Sequence, residues 1–210
     1  MKRLLLLTAC LVVIPAMALA QGVKDSGYKS FSLELGTGIQ PLHMALVPSG
    51  EEKRALADQG MVYERTSDLD CPSFSLSEVW RAARYFEFCL TEGISWKIMN
   101  LIQYESFGID PDGKPRYDVN YYAASPAGHK ASKPVGSLTL QARVIWNPDN
   151  KRVNAYSALG AGLTTVTGHY PLPLVTPIAL RFGNGHLYGF IEATVSPVAT
   201  FGQGGIGWKF

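Results

Sequence analysis

The chain has 210 residues, 47% hydrophobic and 17% charged, with a formal net charge of +2. That length suffices for one domain with a core of its own, and the near balance of charge argues against a basic surface that would capture nucleic acid through its phosphates. A mean hydropathy close to zero does not exclude a membrane protein built of strands, because only alternate residues would then meet lipid.

The first 20 residues read as a leader rather than as part of the fold. Lys2 and Arg3 precede an apolar run from Leu4 to Ala16, and Ala18-Leu19-Ala20 offers a small-x-small cleavage site before Gln21. This is the pattern of a secretory signal peptide, too short for a spanning helix. Leu7-Thr8-Ala9-Cys10 offers a lipoprotein-type alternative that would leave very little apolar segment ahead of the cut. Without Lys2 and Arg3, the 19 Lys+Arg fall to the same number as the 17 Asp+Glu. Residues 21–210 are expected to form one domain.

Residues 30–40 alternate, with Phe31, Leu33, Leu35 and Ile39 on one face and Ser32, Glu34, Gly36, Gly38 and Gln40 on the other, which predicts a first strand. Pro41 ends it. Residues 41–72 are polar and irregular and read as a long exposed loop with a short helix near Glu51–Asp58. A second strand covers 73–82, with Phe74, Leu76, Trp80 and Ala82 on one face and Glu78 breaking the pattern. A third follows a tight turn at Ala83-Arg84 and alternates to residue 98, with Phe86, Phe88, Leu90, Ile94, Trp96 and Ile98 opposite Glu87, Cys89, Thr91, Ser95 and Lys97. Residues 76–90 also fit helical spacing, but the unbroken alternation beyond them favours strands.

Residues 106–134 read as a second long loop, with Tyr117, Tyr121 and Tyr122 in it and with turn signals at Asp110-Pro111-Asp112-Gly113 and Ser125-Pro126-Ala127-Gly128. A fourth strand is predicted at 136–146, a short turn at Asn147-Pro148-Asp149-Asn150 and a fifth strand at 152–166. Gly160 and Gly162 are expected to leave room for large inward side chains such as Tyr188 and Phe190. Residues 168–175 form a third connection. A sixth strand follows at 176–183, a compact turn at Gly183-Asn184-Gly185-His186, a seventh strand at 187–196 and an eighth at 202–210.

Eight antiparallel strands, long loops after the first and third and short turns after the second, fourth and sixth predict an all-β fold: an eight-stranded up-and-down transmembrane β-barrel. The apolar faces would point outward to lipid. Outward aromatics, Phe31, Trp80, Phe86, Trp146, Phe182, Trp208 and Phe210, would gather as a girdle near the periplasmic ends of the strands. The charges Glu34, Glu87, Arg143, Arg181, Glu192 and Lys209 would point inward and form one polar network, since facing lipid they would be costly. Inward Tyr156, Tyr188 and Phe190 would help to fill an interior that is narrow at this strand number. The opposite assignment, a soluble lipocalin-like barrel with the aromatic face inside, fits the terminal Trp-x-Phe less well.

Cys71 and Cys89 fall on adjacent strands too far out of register for a disulfide and are expected to be free thiols. His43, His129, His169 and His186 have no metal-ligand spacing, and no nucleophile or phosphate-cradling motif is present. No catalytic residue, cofactor or metal is expected.

The segments Pro72-Ser73-Phe74-Ser75-Leu76-Ser77, Thr176-Pro177-Ile178, Tyr188-Gly189-Phe190-Ile191-Glu192 and Gly205-Ile206-Gly207-Trp208-Lys209-Phe210 together resemble the small outer-membrane β-barrel proteins of Gram-negative bacteria, of the OmpA/OmpX-like kind. The resemblance covers about residues 72–210. It implies an eight-stranded barrel inserted from the periplasm by the barrel-assembly machinery, with Gly205, Trp208 and Phe210 as the C-terminal insertion signal. Outer-membrane lipid and lipopolysaccharide are the implied surroundings, and a monomer is expected. Because such barrels host adhesins, enzymes and structural proteins, the activity stays open: a structural or surface-binding role through the long loops, a narrow porin-like pore, or a lipid A-modifying enzyme using His169 beside Thr164, Thr165 and Thr167.

Overall fold

Period-two alternation sets the architecture. A computed structural model describes residues 30–39, 41–47, 49–64, 73–104, 106–113, 115–117, 124–150, 152–168, 170–183 and 185–210. The expected leader, Cys71, Tyr121, Tyr122 and His169 lie outside them. In chain order the elements are β1 (Ser30–Gly38), a 3-10 turn (Leu42–Leu46), helix α1 (Gly50–Ala57), β2 (Met61–Glu64), β3 (Ser73–Ala83), β4 (Phe86–Ser95), β5 (Ile98–Tyr104), β6 (Ser106–Ile109), β7 (Pro115–Tyr117), β8 (Ala124–Ala131), β9 (Val135–Ile145), β10 (Val153–Thr164), β11 (Leu172–Gly183), β12 (Leu187–Val195) and β13 (Gln203–Lys209).

Eight of these close into an antiparallel barrel in the order β1-β13-β12-β11-β10-β9-β4-β3. All eight expected strands are present. Closure pairs β1 with both β3 and β13, Phe31 opposite Trp80 and Leu35 opposite Ile206, so no barrel strand is left with an unpaired edge. The expected helix near Glu51–Asp58 is α1, started by a reciprocal cap in which Ser49 Oγ accepts from the Glu52 amide and the Glu52 carboxylate accepts from the Ser49 amide.

Apolar side chains face out. Leu35, Leu140 and Ile206 are each 58% exposed, and Phe88, Ile94, Leu159, Ile178 and Ile191 are exposed with them. Rings gather at the end that carries the short turns and both ends of the barrel chain: Phe31 stacks on Phe210 with centroids 5.6 Å apart and lies 5.9 Å from Trp80, and Phe86 meets Phe88 edge-on. Trp146, Phe182 and Trp208 are exposed at this end too. The opposite end has rings of its own, Phe74 stacked on Trp96 at 5.7 Å and exposed Tyr170 and Phe201, so the aromatic belt is double rather than confined to one end.

Four local readings need correction. The third strand does not run to residue 98: β4 stops at Ser95, and Ile98–Tyr104 is a new strand paired with β2 and β8. Alternation continues across the break because it reports faces, not partners, and Ser132 there replaces the barrel ladder by bonding both the amide and the carbonyl of Lys97. Ser125–Gly128 is not a turn but lies within β8, where a bulge and a positive φ at Gly128 absorb the irregularity. β11 starts at Leu172, not at 176. Pro173 and Pro177 disguise it, and a bulge between Val175 and Ile178 accommodates Pro177. Finally, Gly160 and Gly162 make room for Gln141 and Thr139 of the neighbouring strand, while Tyr188 occupies the space above Gly207 and Phe190 that above Gly36.

The two long loops, expected to be irregular apart from one helix, build a cap. β5 is the centre of a three-stranded sheet, with β2 from the first loop on one side and β8 from the second on the other. Leu56 of α1 packs with Met99, Leu101 and Met61 beneath it. Asp110–Gly113 turns the separate β6–β7 hairpin as expected.

Candidate functional site

The inward faces bring five of the six expected charges together. Arg143 on β9 donates from Nη1 to Glu34 Oε2 at 2.8 Å and from Nη2 to Glu192 Oε1 at 3.1 Å. Arg181 on β11 donates from Nε to Glu34 Oε1 at 3.1 Å and from Nη1 to Glu87 Oε2 at 2.7 Å. Tyr188 donates to Glu34 at 2.9 Å, Tyr156 donates to Glu192, and Gln203 Nε2 reaches Glu192 Oε2 at 2.6 Å. Both guanidinium groups also sit near the Tyr156 ring, 4.9 Å and 4.6 Å from its centroid. Seven of the eight barrel strands contribute a group, so the network ties the wall together across its diameter. Arg143 and Glu34 are fully buried. Their charges are tolerable because each meets several partners of opposite sign.

Lys209 is the exception. It makes no salt bridge among the described residues and instead lines the open mouth at the short-turn end. Register explains this: it lies opposite Ser32, two residue pairs, or one inward-facing position, closer to the chain end than Gly207 opposite Glu34. The His186 ring donates from Nδ1 to the Lys209 carbonyl at 2.8 Å while the His186 carbonyl takes the Lys209 amide, fixing the strand end. The mouth is a cleft of about 350 Å3.

The other end is stopped by apolar side chains that alternation could not reveal. Fully buried Met44 packs with Val47 and Val135, and Ser95 Oγ lies 3.3 Å from its sulfur. Val198 and Ala199 are buried over Gly93 of β4 and Gly38 of β1, their amides bound to Ser196 Oγ at 3.1 and 3.0 Å. The signal for the second stopper was present in the Ser196-Pro197 start of a side-chain-capped turn. His43 is buried next to Met44 with neither ring nitrogen hydrogen-bonded, and burial pushes its imidazole down to about 4. Above, a second cleft of about 730 Å3 separates α1 from β8, lined in part by Glu51, Glu52, Leu56, Lys130 and Lys133.

Thr164 Oγ1 is spent on the Thr167 amide and hydroxyl, at 3.0 Å each. His129 is exposed and bonded to Asn100, and Cys89 is a buried free thiol beside Thr91. Among the described residues no group of His, Cys, Asp and Glu is arranged to hold a metal. At the C-terminus, Phe210 donates its amide to the Phe31 carbonyl at 2.9 Å, Gly205 approaches Leu35 of β1 too closely for a Cβ, and Trp208 stacks on His186. The last residues thus form the seam that closes the barrel.

Neither a scan against protein-family models nor a search of curated proteins finds a match to this chain. An eight-stranded barrel by itself identifies no family and no activity, so the reading of function rests on the site.

Proposed function

We propose that the chain is an integral outer-membrane β-barrel of the OmpA/OmpX-like kind, exported by its leader, with a filled interior and a structural or surface-binding role carried by its long loops. One observation carries the proposal: large apolar side chains cover the outward faces of all eight strands, while Glu34, Glu87, Arg143, Arg181 and Glu192 in the interior are paired with one another. In water that outer surface would be an extensive exposed apolar patch; in a bilayer it meets hydrocarbon, and closure satisfies the backbone. The double aromatic belt supports the same orientation relative to two interfaces. With both chain ends in the periplasm, the cap of α1, β2, β5 and β8 faces outward from the cell, where loops on a rigid scaffold make contacts.

The polar network, Phe190 and the stoppers at Met44 and Val198 argue for a binding or structural role over diffusion through the lumen. For the enzymatic reading, Thr164 Oγ1 is hydrogen-bonded to Thr167, and His169 lies outside the described residues. The decisive test is envelope fractionation followed by gel electrophoresis with and without boiling. The protein is expected in the outer-membrane fraction, with a mobility that changes on heating because the folded barrel resists detergent. A mature chain that is soluble without detergent and insensitive to boiling would overturn the proposal.

A further inference from the structure

We propose that the open mouth at the short-turn end is a binding site for a small oxyanion bearing two or more negative charges, of phosphate or carboxylate chemistry. This inference does not depend on what surrounds the barrel. The cleft is lined by four cations, Arg81, Arg152, Arg181 and Lys209, and by one acid, Glu87.

The charges do not cancel. Arg181 and Glu87 are already paired with each other at 2.7 Å, and Arg181 also serves Glu34. Arg81 lies directly across the strand pair from Glu87, yet its guanidinium turns away to the carbonyls of Ala83 and Arg84, at 3.4 and 2.6 Å. Glu87 is occupied, so Arg81 settles for neutral acceptors. Among the described residues neither Arg152 nor Lys209 forms a salt bridge, and the nearby rim pair is closed upon itself, Arg84 with Asp149. Three further cations therefore line one partly enclosed space whose single acid, Glu87, is already held by Arg181.

Lys209 projects from a strand whose end is clamped by His186 on both the amide and the carbonyl, and the Arg152 backbone is fixed by its amide bond to Asn150 Oδ1 at 3.0 Å. The cleft volume of about 350 Å3 falls in the range that holds small ligands. Guanidinium forks match the two-oxygen geometry of phosphate and carboxylate, and ammonium adds a point charge. Partial enclosure limits screening by salt.

The test is isothermal titration of the folded full-length mature chain with inorganic pyrophosphate and, separately, with citrate. Saturable one-site binding that weakens with added salt is expected. Preference for one probe assigns phosphate or carboxylate chemistry. Arg152→Gln and Lys209→Gln should each weaken binding about fivefold or more, while Lys133→Gln at the opposite end should leave it unchanged. Arg152 sits in an exposed turn, so its variant remains informative if the Lys209 variant folds poorly. Absence of saturable binding to both probes, or equal weakening by Lys133→Gln, would overturn the assignment.

Discussion

Arg143 and Glu34 meet at 2.8 Å in the barrel centre from positions 109 residues apart in the chain. Arg143 also holds Glu192, so removing it leaves two carboxylates buried without their shared cation. Arg143→Met should destabilise the folded barrel by about 3–5 kcal/mol. At the exposed rim, Asp149→Asn breaks a pair of the kind that contributes under about 1 kcal/mol. Urea titration of the folded protein in detergent micelles compares the two. Equal midpoints for both variants would mean that the central network is not a stabilising element.

The interior is filled at several levels, by the network and by Phe190, Val198 and Met44. Current across a planar bilayer containing the protein should therefore stay at baseline, without steady steps. Sizeable, reproducible steps would show that one of these layers is open in lipid and would favour the pore reading.

His43 makes the loop-end stopper sensitive to acid. Its imidazole is held neutral by burial, down to about 4 against an ordinary 6.5. A base with a lowered folded-state value is protonated more readily when exposed, so stability is full above about pH 6.5 and falls as pH drops toward 4. At pH 4.5 the stopper should open at least ten times more often than at pH 7.5. The rate at which peroxide oxidises buried Met44, followed by mass spectrometry, reports this opening. In His43→Asn the pH dependence should largely disappear. A His43→Asn protein that keeps the full pH dependence would place the acid-sensitive group elsewhere.

Alternation revealed the barrel because an eight-stranded wall sorts every side chain to one of two sides, and that sorting is written locally. Glu34, Glu87, Arg143, Arg181 and Glu192 were legible as inward charges for the same reason. Their partners were not, because pairing depends on register around the whole circumference; Lys209, two residue pairs beyond Gly207 and the next inward position, shows the cost of a single inward step. The cap was hidden for a different reason. β2, β5 and β8 pair across two loops distant in sequence, and short strands carry too few residues for alternation to stand out. Pro173 and Pro177 obscured β11 because their usual meaning, a break, is cancelled by a bulge.

Phe210 is expected to serve assembly beyond its part in the seam. Its ring stacks on Phe31 and its amide bonds to the Phe31 carbonyl. Phe210→Ala keeps the backbone bond and removes one exposed stacking contact, which should cost only about 1 kcal/mol in vitro. In cells, the fraction of heat-modifiable barrel recovered from the envelope should fall severalfold if the terminal residues act as an insertion signal. A drop in vitro as large as that in cells would reduce the role of Phe210 to packing alone.

Glu78 is the one apparent break in the outward pattern of β3, and it remains a break in the folded protein. It lies opposite Leu33 on one side and Leu90 on the other, is 5% exposed, and has Oε2 without a hydrogen-bond partner. A second outward acid, Glu92, stands diagonally next to it, opposite Leu76 and Leu138. Two neighbouring carboxylates on an apolar wall are costly, because each must be desolvated without a compensating charge. Glu78→Leu should therefore raise the urea midpoint, by the equivalent of about 1–3 kcal/mol, whereas Leu90→Glu, adding a third acid beside the pair, should lower it. Destabilisation by Glu78→Leu would mean that the carboxylate has a favourable partner at this surface, and that the outer face of β3 and β4 is not simply a greasy wall.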